Sequence, residues 1–431
     1  MSKKRIIGIL MLLFSTVIYV VVICYKIYSP IAYFIILGLL LLSMFFNQKF
    51  NVLSANFLFS LMFIYTVGFG PIILMEQGIQ YNYDFFKIIL GGFMAYCWGS
   101  LFFSDYKVEY KKEDKSKIVF PFSRVLILRV LYLASLFASI IYLYKNRTLM
   151  LNGNMQSGRI EAMAGSGLIL YIMQLSIIVV PLLYEYYLFC KKTNFKAISK
   201  YELFFVTGLS SIFLLFSGFR APLVSMYICL IIIYFKNNNK KIISLIPYGI
   251  LIVLGVEVLG ILRNFLSGST ASIGIIKNLN TSLIVNCINL KYIFNYFPNR
   301  IPFQNGYTYL INILMLKPGP DLDFTLWLKD QLNLSFNGGG VTPTILGEFY
   351  INFGLISIYI GMFFLGIFGN FITKYFNSHS YSFLGAFFIW QYAHCASGGI
   401  ANVMILTIIL TIAYRFVMMF PMELRRRNGK S

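Results

Sequence analysis

The chain has 431 residues, of which 58% are hydrophobic and only 12% are charged, and its mean hydropathy is +0.75. A water-soluble core could not bury this much apolar surface, so the composition excludes a soluble globular protein and indicates an integral membrane protein. The formal net charge of +21 does not indicate nucleic-acid binding, because the basic residues form short tracts between apolar runs.

Long apolar runs predict membrane-spanning helices, because about 18 helical residues cross a hydrocarbon layer of roughly 30 Å. We predict twelve spans, at 6–24, 29–46, 52–75, 85–103, 125–144, 167–190, 202–217, 221–235, 242–262, 343–373, 382–396 and 400–420. No small-x-small cleavage site follows the first run, so we expect a retained span and not a secretion signal. The stretch 202–235 could instead be one re-entrant element around Gly218 and Arg220.

Lysine and arginine near span ends favour the cytoplasmic side, and this rule orients the predicted spans. With both termini in the cytoplasm, the inside segments hold most of the basic residues, including the tracts 107–124 and 425–430. We therefore predict transmembrane helices 1–9 in 1–262, a large extracytoplasmic loop at 263–342, transmembrane helices 10–12 in 343–420 and a basic cytoplasmic tail at 421–431. Loops of this length are more often functional than connective.

Arginines are predicted at or near the outer ends of spans and in the large loop: Arg159, Arg220, Arg263 and Arg300. A guanidinium beside hydrocarbon is unfavourable unless it is paired, and its planar fork matches the oxygens of an isoprenoid diphosphate. Each arginine could also snorkel to the interface or pair with a local acid such as Glu161 or Glu257. For Arg220, which lies between Gly218 and Pro222 in an apolar stretch, the functional interpretation is favoured.

The run from Asn337 to Gly354, NGGGVTPTILGEFYINFG, lies where the large loop re-enters the membrane. Its glycines allow close backbone approach, and Pro343 suits the first turn of a helix. Glu348 and Asn352 are four residues apart and therefore share one helical face. The Glu348 carboxylate could orient a substrate hydroxyl or accept its proton, or it could pair with an arginine and hold the helix bundle together.

This run resembles the oligosaccharide repeat-unit polymerases, also called Wzy or O-antigen polymerases. The resemblance lies in the loop glycines, Pro343, Leu346-Gly-Glu348, Tyr350 and Asn352-Phe-Gly354, together with Ser217-Gly-Phe-Arg220, the dozen spans and the late external loop. Many members have serine where this chain has Thr344, a departure that keeps the hydroxyl.

The resemblance implies an all-α polytopic membrane protein with a GT-C-like glycosyltransferase architecture. It implies an enzyme of the bacterial cytoplasmic membrane that polymerises undecaprenyl-diphosphate-linked repeat units into O-antigen or capsular polysaccharide on the extracytoplasmic side. No metal or other cofactor is expected. The expected partners are the lipid-linked donor and acceptor, the bilayer and a chain-length regulator, and nucleic acid is not among them.

The resemblance and the chemistry of the side chains together give expected roles to the site residues. The expected catalytic residues are Glu348, Arg220 and Arg263, and the expected substrate-binding residues are Arg159, Arg300, Tyr350, Asn352 and His394. His394, at the outer end of the eleventh predicted span, could act as a base or bind phosphate, although helix packing is the commoner use. The Asp321-Leu-Asp323 pair resembles a metal-binding motif, but nucleotide sugars are absent outside the cell, so we predict a solvated loop.

Two other functions fit parts of the pattern. An O-antigen ligase has the same topology and donor, but its family usually places a histidine in the large loop, and residues 263–342 contain none. A lipid-linked oligosaccharide flippase also has about a dozen spans. It should place charged residues along a cavity within several spans, whereas here the ionisable groups gather at outer span ends.

Overall fold

The computed structural model describes residues 3–48, 50–51, 53–78, 84–103, 119–120, 122–147, 166–192, 197–217, 220–238, 247, 255, 258, 275–314, 323–336, 339–378, 382–420 and 423–424. The regular secondary structure of the described residues is helical, apart from the antiparallel pair of two-residue strands β1 (Val119–Phe120) and β2 (Glu423–Leu424). The helices are α1 (Lys3–Cys24), α2 (Pro30–Asn47), α3 (Ala55–Phe63), the π-helical segment π1 (Ile64–Gly68), α4 (Gly70–Glu76), the π-helical segment π2 (Phe85–Leu90), α5 (Gly91–Gly99), α6 (Phe122–Lys145), α7 (Gly167–Met173), α8 (Ser176–Lys192), α9 (Lys200–Phe216), α10 (Arg220–Asn238), α11 (Ile275–Tyr296), α12 (Thr308–Leu314), α13 (Phe324–Gln331), α14 (Thr344–Phe353), α15 (Leu355–Ser378) and α16 (Phe383–Met419).

Eight helical stretches of the described chain are long and apolar enough to cross a membrane: Lys3–Cys24, Pro30–Asn47, Ala55–Glu76, Phe122–Lys145, Gly167–Lys191, Ala221–Asn238, Leu355–Ser378 and Phe383–Met419. The chain is therefore a multi-pass α-helical membrane protein. The predicted span 85–103 corresponds to a shorter apolar helix, Phe86–Gly99. The stretch 202–235 consists of two helices, α9 and α10. The predicted span 242–262 lies mostly outside the described residues.

α16 reverses direction at Gly399, which has φ 79° and ψ 175°. The ring centroids of Phe383 and Tyr414 are 5.8 Å apart, although a straight helix between these residues would separate them by about 46 Å. α16 is therefore a pair of antiparallel helices, a first arm at 383–398 and a second arm at 400–419. This pair agrees with the two separate spans predicted at 382–396 and 400–420.

The single span predicted at 343–373 is a helical hairpin in the structure. α14 ends before Gly354, which has φ 77°, and α15 starts directly after it. The Ser357 hydroxyl donates to the Phe349 carbonyl at 2.7 Å, and the Phe349 ring lies against Gly361, so α14 and α15 run antiparallel. The ten residues of α14 rise only about 15 Å, half of the hydrocarbon thickness. α14 is thus too short to span.

The predicted loop 263–342 contains helices α11, α12 and α13 in its described part, and we call these the loop helices. α11 packs against π1, α4 and α14. The Asn286 side chain donates to the Thr66 carbonyl at 3.0 Å and accepts a hydrogen bond from the Thr342 hydroxyl at 2.7 Å. This part of the chain is a folded cap on the bundle, held by buried amides, and not an open loop.

Basic side chains gather at one end of the bundle, where they donate hydrogen bonds to carbonyls at helix ends. Arg5 donates to the carbonyl of Leu101 after α5, and Arg124 donates to the carbonyl of Phe420 after the second arm, both at 2.9 Å. Lys236, near the end of α10, donates to the carbonyl of Phe376 near the end of α15. We call this the basic end. α15 and the second arm both end at the basic end. The reversals from which they start, at Gly354 and at Gly399, therefore lie at the opposite end of the bundle.

Candidate functional site

Glu348 lies on α14 and is fully buried at the end of the bundle opposite the basic end, which we call the Glu348 end. Its carboxylate accepts hydrogen bonds from the backbone N–H groups of Ile400 and of Ala401, the latter at 2.9 Å. These are the first N–H groups of the second arm, and such groups have no partner within their own helix. A carboxylate there also interacts favourably with the helix dipole. Glu348 is therefore the N-terminal cap of a helix that belongs to another part of the chain.

Gly399 makes this cap possible. A Cβ atom at this position would collide with the Glu348 carboxylate, and the backbone conformation, φ 79° and ψ 175°, is one that side-chain-bearing residues rarely adopt. In the sequence, Gly398 and Gly399 follow His394 by four and five residues, and these two consecutive glycines are the feature that indicates the reversal.

Asn352, one helical turn after Glu348, fastens the chain between α11 and α12 to α14. Its amide nitrogen donates to the Glu348 carbonyl at 2.8 Å and to the Thr308 hydroxyl at 2.7 Å. Its amide oxygen accepts the Gly306 N–H at 2.9 Å. The side chain is fully buried, and these bonds use both of its polar ends. Asn352 thus holds the loop helices to the membrane-embedded bundle.

Asn312 on α12 was not predicted from the sequence. It also attaches the loop helices to the bundle, through the second arm of α16. Its amide nitrogen donates to the Ala401 carbonyl at 3.0 Å and to the Asn402 side chain at 3.2 Å. Its amide oxygen accepts the N–H of Phe324, the first residue of α13, at 2.7 Å. An asparagine between apolar neighbours was the only feature of the sequence that could have indicated this role.

Tyr309 lies beside these contacts on α12. Burial of its phenol, and secondly the nearby Glu348 carboxyl, raise the pKa of Tyr309, while the Asn352 side chain acts in the opposite direction. The phenol therefore stays neutral at physiological pH and keeps its proton for donation.

Tyr350 packs among aromatic residues and orients the turn that carries Arg300. Its hydroxyl donates to the Phe297 carbonyl at 3.2 Å, and its ring stands edge-on to that of Phe294 at 4.5 Å. The Arg300 guanidinium lies over the Tyr296 ring at 4.8 Å and is exposed, and in the described part of the chain no carboxylate pairs with it. Arg300 is thus accessible to an anion at the Glu348 end, whereas Tyr350 supports the turn.

His394 lies on the first arm, and its ring stacks on Trp390 at 5.7 Å. The Trp390 indole donates to the Ser225 hydroxyl on α10 at 2.7 Å. α10 and the first arm are antiparallel, since the C-terminal part of α10 lies at the basic end, where the first arm begins. One turn beyond Trp390, His394 is level with the start of α10. Arg220 is the first residue of α10, so the structure brings its backbone to the level of His394.

The remaining predicted residues are placed as follows. Arg159, Arg263 and Asp321 lie outside the described residues. Asp323 caps the N-terminus of α13, where its carboxylate accepts the Leu326 N–H at 2.7 Å. Within the described ranges, no group of three or more His, Cys, Asp or Glu side chains could hold a metal ion.

Comparison of the chain with protein-family models, with curated proteins and with solved structures finds no match. The interpretation of the site therefore depends on its residues and geometry. The described arrangement joins the re-entrant helix α14, the reversal in α16 and the loop helices through Glu348, Asn352 and Asn312. It can cover one end of a membrane bundle with a folded, polar and aromatic surface.

Proposed function

We propose that the chain polymerises undecaprenyl-diphosphate-linked oligosaccharide repeat units in a bacterial cytoplasmic membrane, on twelve spans with a GT-C-like architecture. The supporting observation is the attachment of the loop helices to the Glu348 end through Asn352 and Asn312. A lipid-linked glycan places its diphosphate at the membrane surface and its sugars beyond. An enzyme that acts on it needs a covered site at the end of the bundle, and the residues that attach this cover fall in the run that resembles the polymerases.

The orientation of the bundle is part of the proposal. The positive-inside rule assigns the basic end, with Arg5, Arg124 and Lys236, to the cytoplasm. The Glu348 end, with Asn352, Arg300 and His394, then faces the extracytoplasmic side, where the lipid-linked repeat units are joined.

The proposed reaction is a displacement at the anomeric carbon of the donor. An acceptor hydroxyl forms the new C–O bond, the bond to the lipid diphosphate breaks, and the diphosphate leaves with the bonding electrons. Arg220, Arg263, Arg159 and Arg300 stabilise the charge on the leaving diphosphate, a role that a divalent metal has in other glycosyl transfers.

The hydroxyl proton needs an acceptor. Hydrogen bonds from two backbone N–H groups explain why Glu348 is buried, and this role does not require Glu348 to transfer a proton. We therefore propose that Glu348 affects the reaction by positioning the second arm. His394, level with the start of α10, is then the candidate base.

The experiment uses purified protein in liposomes together with lipid-linked repeat units isolated from a strain that lacks the gene. We expect a ladder of longer glycans on the carrier lipid and release of one undecaprenyl diphosphate for each unit added. A ligase would give no ladder and would transfer glycan only to added lipid A core. A flippase would move the unit across the bilayer without lengthening it. Absence of both the ladder and the released diphosphate would contradict the proposal.

A further inference from the structure

A cleft with a volume of about 70 Å³ lies between π2 and α11 and is open at its mouth. The cleft is at the Glu348 end, because the carbonyl of Lys87 in π2 accepts the Tyr359 hydroxyl at 3.0 Å, one turn after α15 begins. None of its described lining residues was singled out by the sequence.

The walls of the cleft follow from the two helices that form it. Leu290, Lys291, Phe294 and Asn295 share one face of α11, since they are spaced by three or four residues or adjacent. Asp84 precedes π2 on the other side. The wider turn of a π-helix changes which side chains face a neighbour, and π-helical turns occur frequently at functional sites.

The chemistry of the lining distinguishes between ligands. Ile88 and Leu290 are buried and give an apolar floor, while Asp84 and Asn295 are exposed toward the mouth. Lys291 adds an ammonium to the same cleft. Together with the Asp84 carboxylate, it gives the cleft one positive and one negative charge. For a diphosphate, repulsion by the Asp84 carboxylate offsets attraction to the Lys291 ammonium, so the cleft has no net positive charge to attract it. An uncharged polyol would find hydrogen-bond donors and acceptors beside an apolar surface, which matches the hydroxyl groups and C–H faces of a sugar.

The cleft adjoins the helix that carries Glu348 and Asn352. The Phe294 ring stands perpendicular to the Tyr350 ring, with centroids 4.5 Å apart. Gly347 on α14 faces Ile293 and Leu290, and this close approach lets α11 pack directly on α14. Helices in such contact have axes roughly 8–10 Å apart. A ligand in the cleft therefore lies about one helix width from the Glu348 contacts.

We propose that this cleft binds a sugar ring of the lipid-linked glycan, remote from its diphosphate. The inference rests on the proposed function and adds to it the place where the glycan itself is recognised. Diphosphate recognition is left to the arginines, whereas the cleft selects the carbohydrate. In this arrangement the sugar is bound on the α11 side of α14. His394 lies on the first arm of α16, beside α10.

The test measures binding to purified full-length protein in nanodiscs. One probe is the undecaprenyl-diphosphate-linked repeat unit isolated from the deletion strain, and the other is undecaprenyl diphosphate without sugar. Asn295→Trp fills the cleft mouth, and Asp84→Asn removes the carboxylate. We expect each variant to weaken binding of the sugar-bearing probe about tenfold, which is roughly 1.4 kcal/mol, and to leave the sugarless probe unchanged.

Matched controls come from exposed positions that do not line the cleft. Asn280→Trp makes the same change on α11, and Asp330→Asn makes the same charge change on α13. We expect both controls to bind each probe as the unmodified protein does. Equal binding of the sugar-bearing probe by the cleft variants would overturn the proposal, as would an equal loss for the sugarless probe. If the cleft variants lose sugar binding but the unmodified protein forms no ladder, the proposed polymerisation fails and the sugar site stands.

Discussion

Glu185 and Glu348 cap the two arms of α16 in the same way at opposite ends of the bundle. Glu185 on α8 accepts the N–H groups of Ser382 and Phe383, the latter at 3.1 Å, where the first arm begins. Glu348 on α14 does the same for the second arm. Both glutamates are buried, a placement that is unfavourable for a carboxyl group unless hydrogen bonds compensate. The first N–H groups of each arm are therefore bound by a carboxylate from another helix. α8 supplies this carboxylate to the first arm, and α14 supplies it to the second.

The two caps predict a shared effect on stability. Glu348→Ala and Glu185→Ala each leave two backbone N–H groups without an acceptor, which should destabilise the fold by about 1–3 kcal/mol per group. Glu348→Gln keeps one acceptor oxygen and should therefore reduce the stability less than Glu348→Ala does. The measurement is the thermal unfolding midpoint in detergent, with Glu76→Ala, an exposed glutamate at the end of α4, as the control. An alanine variant as stable as this control would show that the caps do not stabilise the arms.

Glu348→Gln also separates the two roles considered for Glu348. A glutamine cannot accept a proton in the reaction, but it can still hydrogen-bond the second arm. We expect the Gln variant to retain most polymerisation and the Ala variant to lose it, measured as glycan chain length in a complemented deletion strain. Complete loss in a Gln variant that folds normally would favour proton transfer by Glu348.

Gly399→Ala should destabilise the protein more than an ordinary glycine substitution. The new Cβ would meet the Glu348 carboxylate, and the backbone conformation alone is disfavoured by about 1–3 kcal/mol for other residues. Gly38→Ala is the matched control, because it lies inside α2 with open space around it and should be neutral or stabilising by up to about 1 kcal/mol. Folded yield and melting midpoint measure both. Similar midpoints for the two variants would contradict the description of the reversal.

Asn352→Ala should loosen the segment between α11 and α12 without unfolding the bundle. The substitution removes the acceptor of the Gly306 N–H and the donor to the Thr308 hydroxyl. Hydrogen exchange measured by mass spectrometry should show faster exchange in 304–308 and unchanged exchange in α15. Gln304→Ala is the control, since its side-chain amide donates only to the Pro302 carbonyl in the same segment. Unchanged exchange at 304–308 in the Asn352 variant would refute this attachment.

If the proposed function is correct, Arg300→Ala should reduce glycan chain length, because an exposed guanidinium at the Glu348 end would be lost from the proposed diphosphate site. Arg147→Ala is the control: it is also exposed and lies over an adjacent tyrosine ring, Tyr144 at 4.3 Å. Arg220→Ala and Arg263→Ala should abolish long chains and leave single repeat units on the carrier, with normal expression. Normal chain lengths in all three variants would remove the arginines from the mechanism.

Cysteine labelling tests which end of the bundle faces outward. In a Cys24→Ser background, Asp330→Cys on α13 should react in intact cells with a maleimide that does not cross membranes. Lys200→Cys, at the start of α9 near the basic end, should react only after permeabilisation. The reverse pattern would invert the proposed orientation.

Much of the fold follows from hydrophobicity alone. The apolar runs predicted at 6–24 and 125–144 correspond to Lys3–Cys24 and Phe122–Lys145, because a long apolar helix has few alternatives in a bilayer. The hairpin at Gly354 was not predicted, since hydropathy does not show a change of direction between two apolar segments. α11 was predicted as part of a loop because its asparagines lower its hydropathy. The buried Asn286 is satisfied by partners distant in sequence, Thr66 and Thr342.

The contacts of Glu348 and Asn352 follow from the sequence only in part. The glycines and the pair Glu348 and Asn352 correctly indicated one helical face, but their partners come from residues 306, 308, 400 and 401. Such contacts depend on tertiary structure and leave no periodicity in the sequence. Asn312 is the clearest example, because nothing nearby in the chain explains its three hydrogen bonds.

Because Glu348 and Asn352 occupy successive turns of one short helix, α14 connects the loop helices to the second arm. Any ligand that shifts the segment near Thr308 pulls on α14, and α14 in turn displaces the start of the second arm. The far end of that arm meets Arg124 at the basic end, where Arg124 donates to the Phe420 carbonyl. The second arm thus connects the contacts at the Glu348 end directly to those at the basic end.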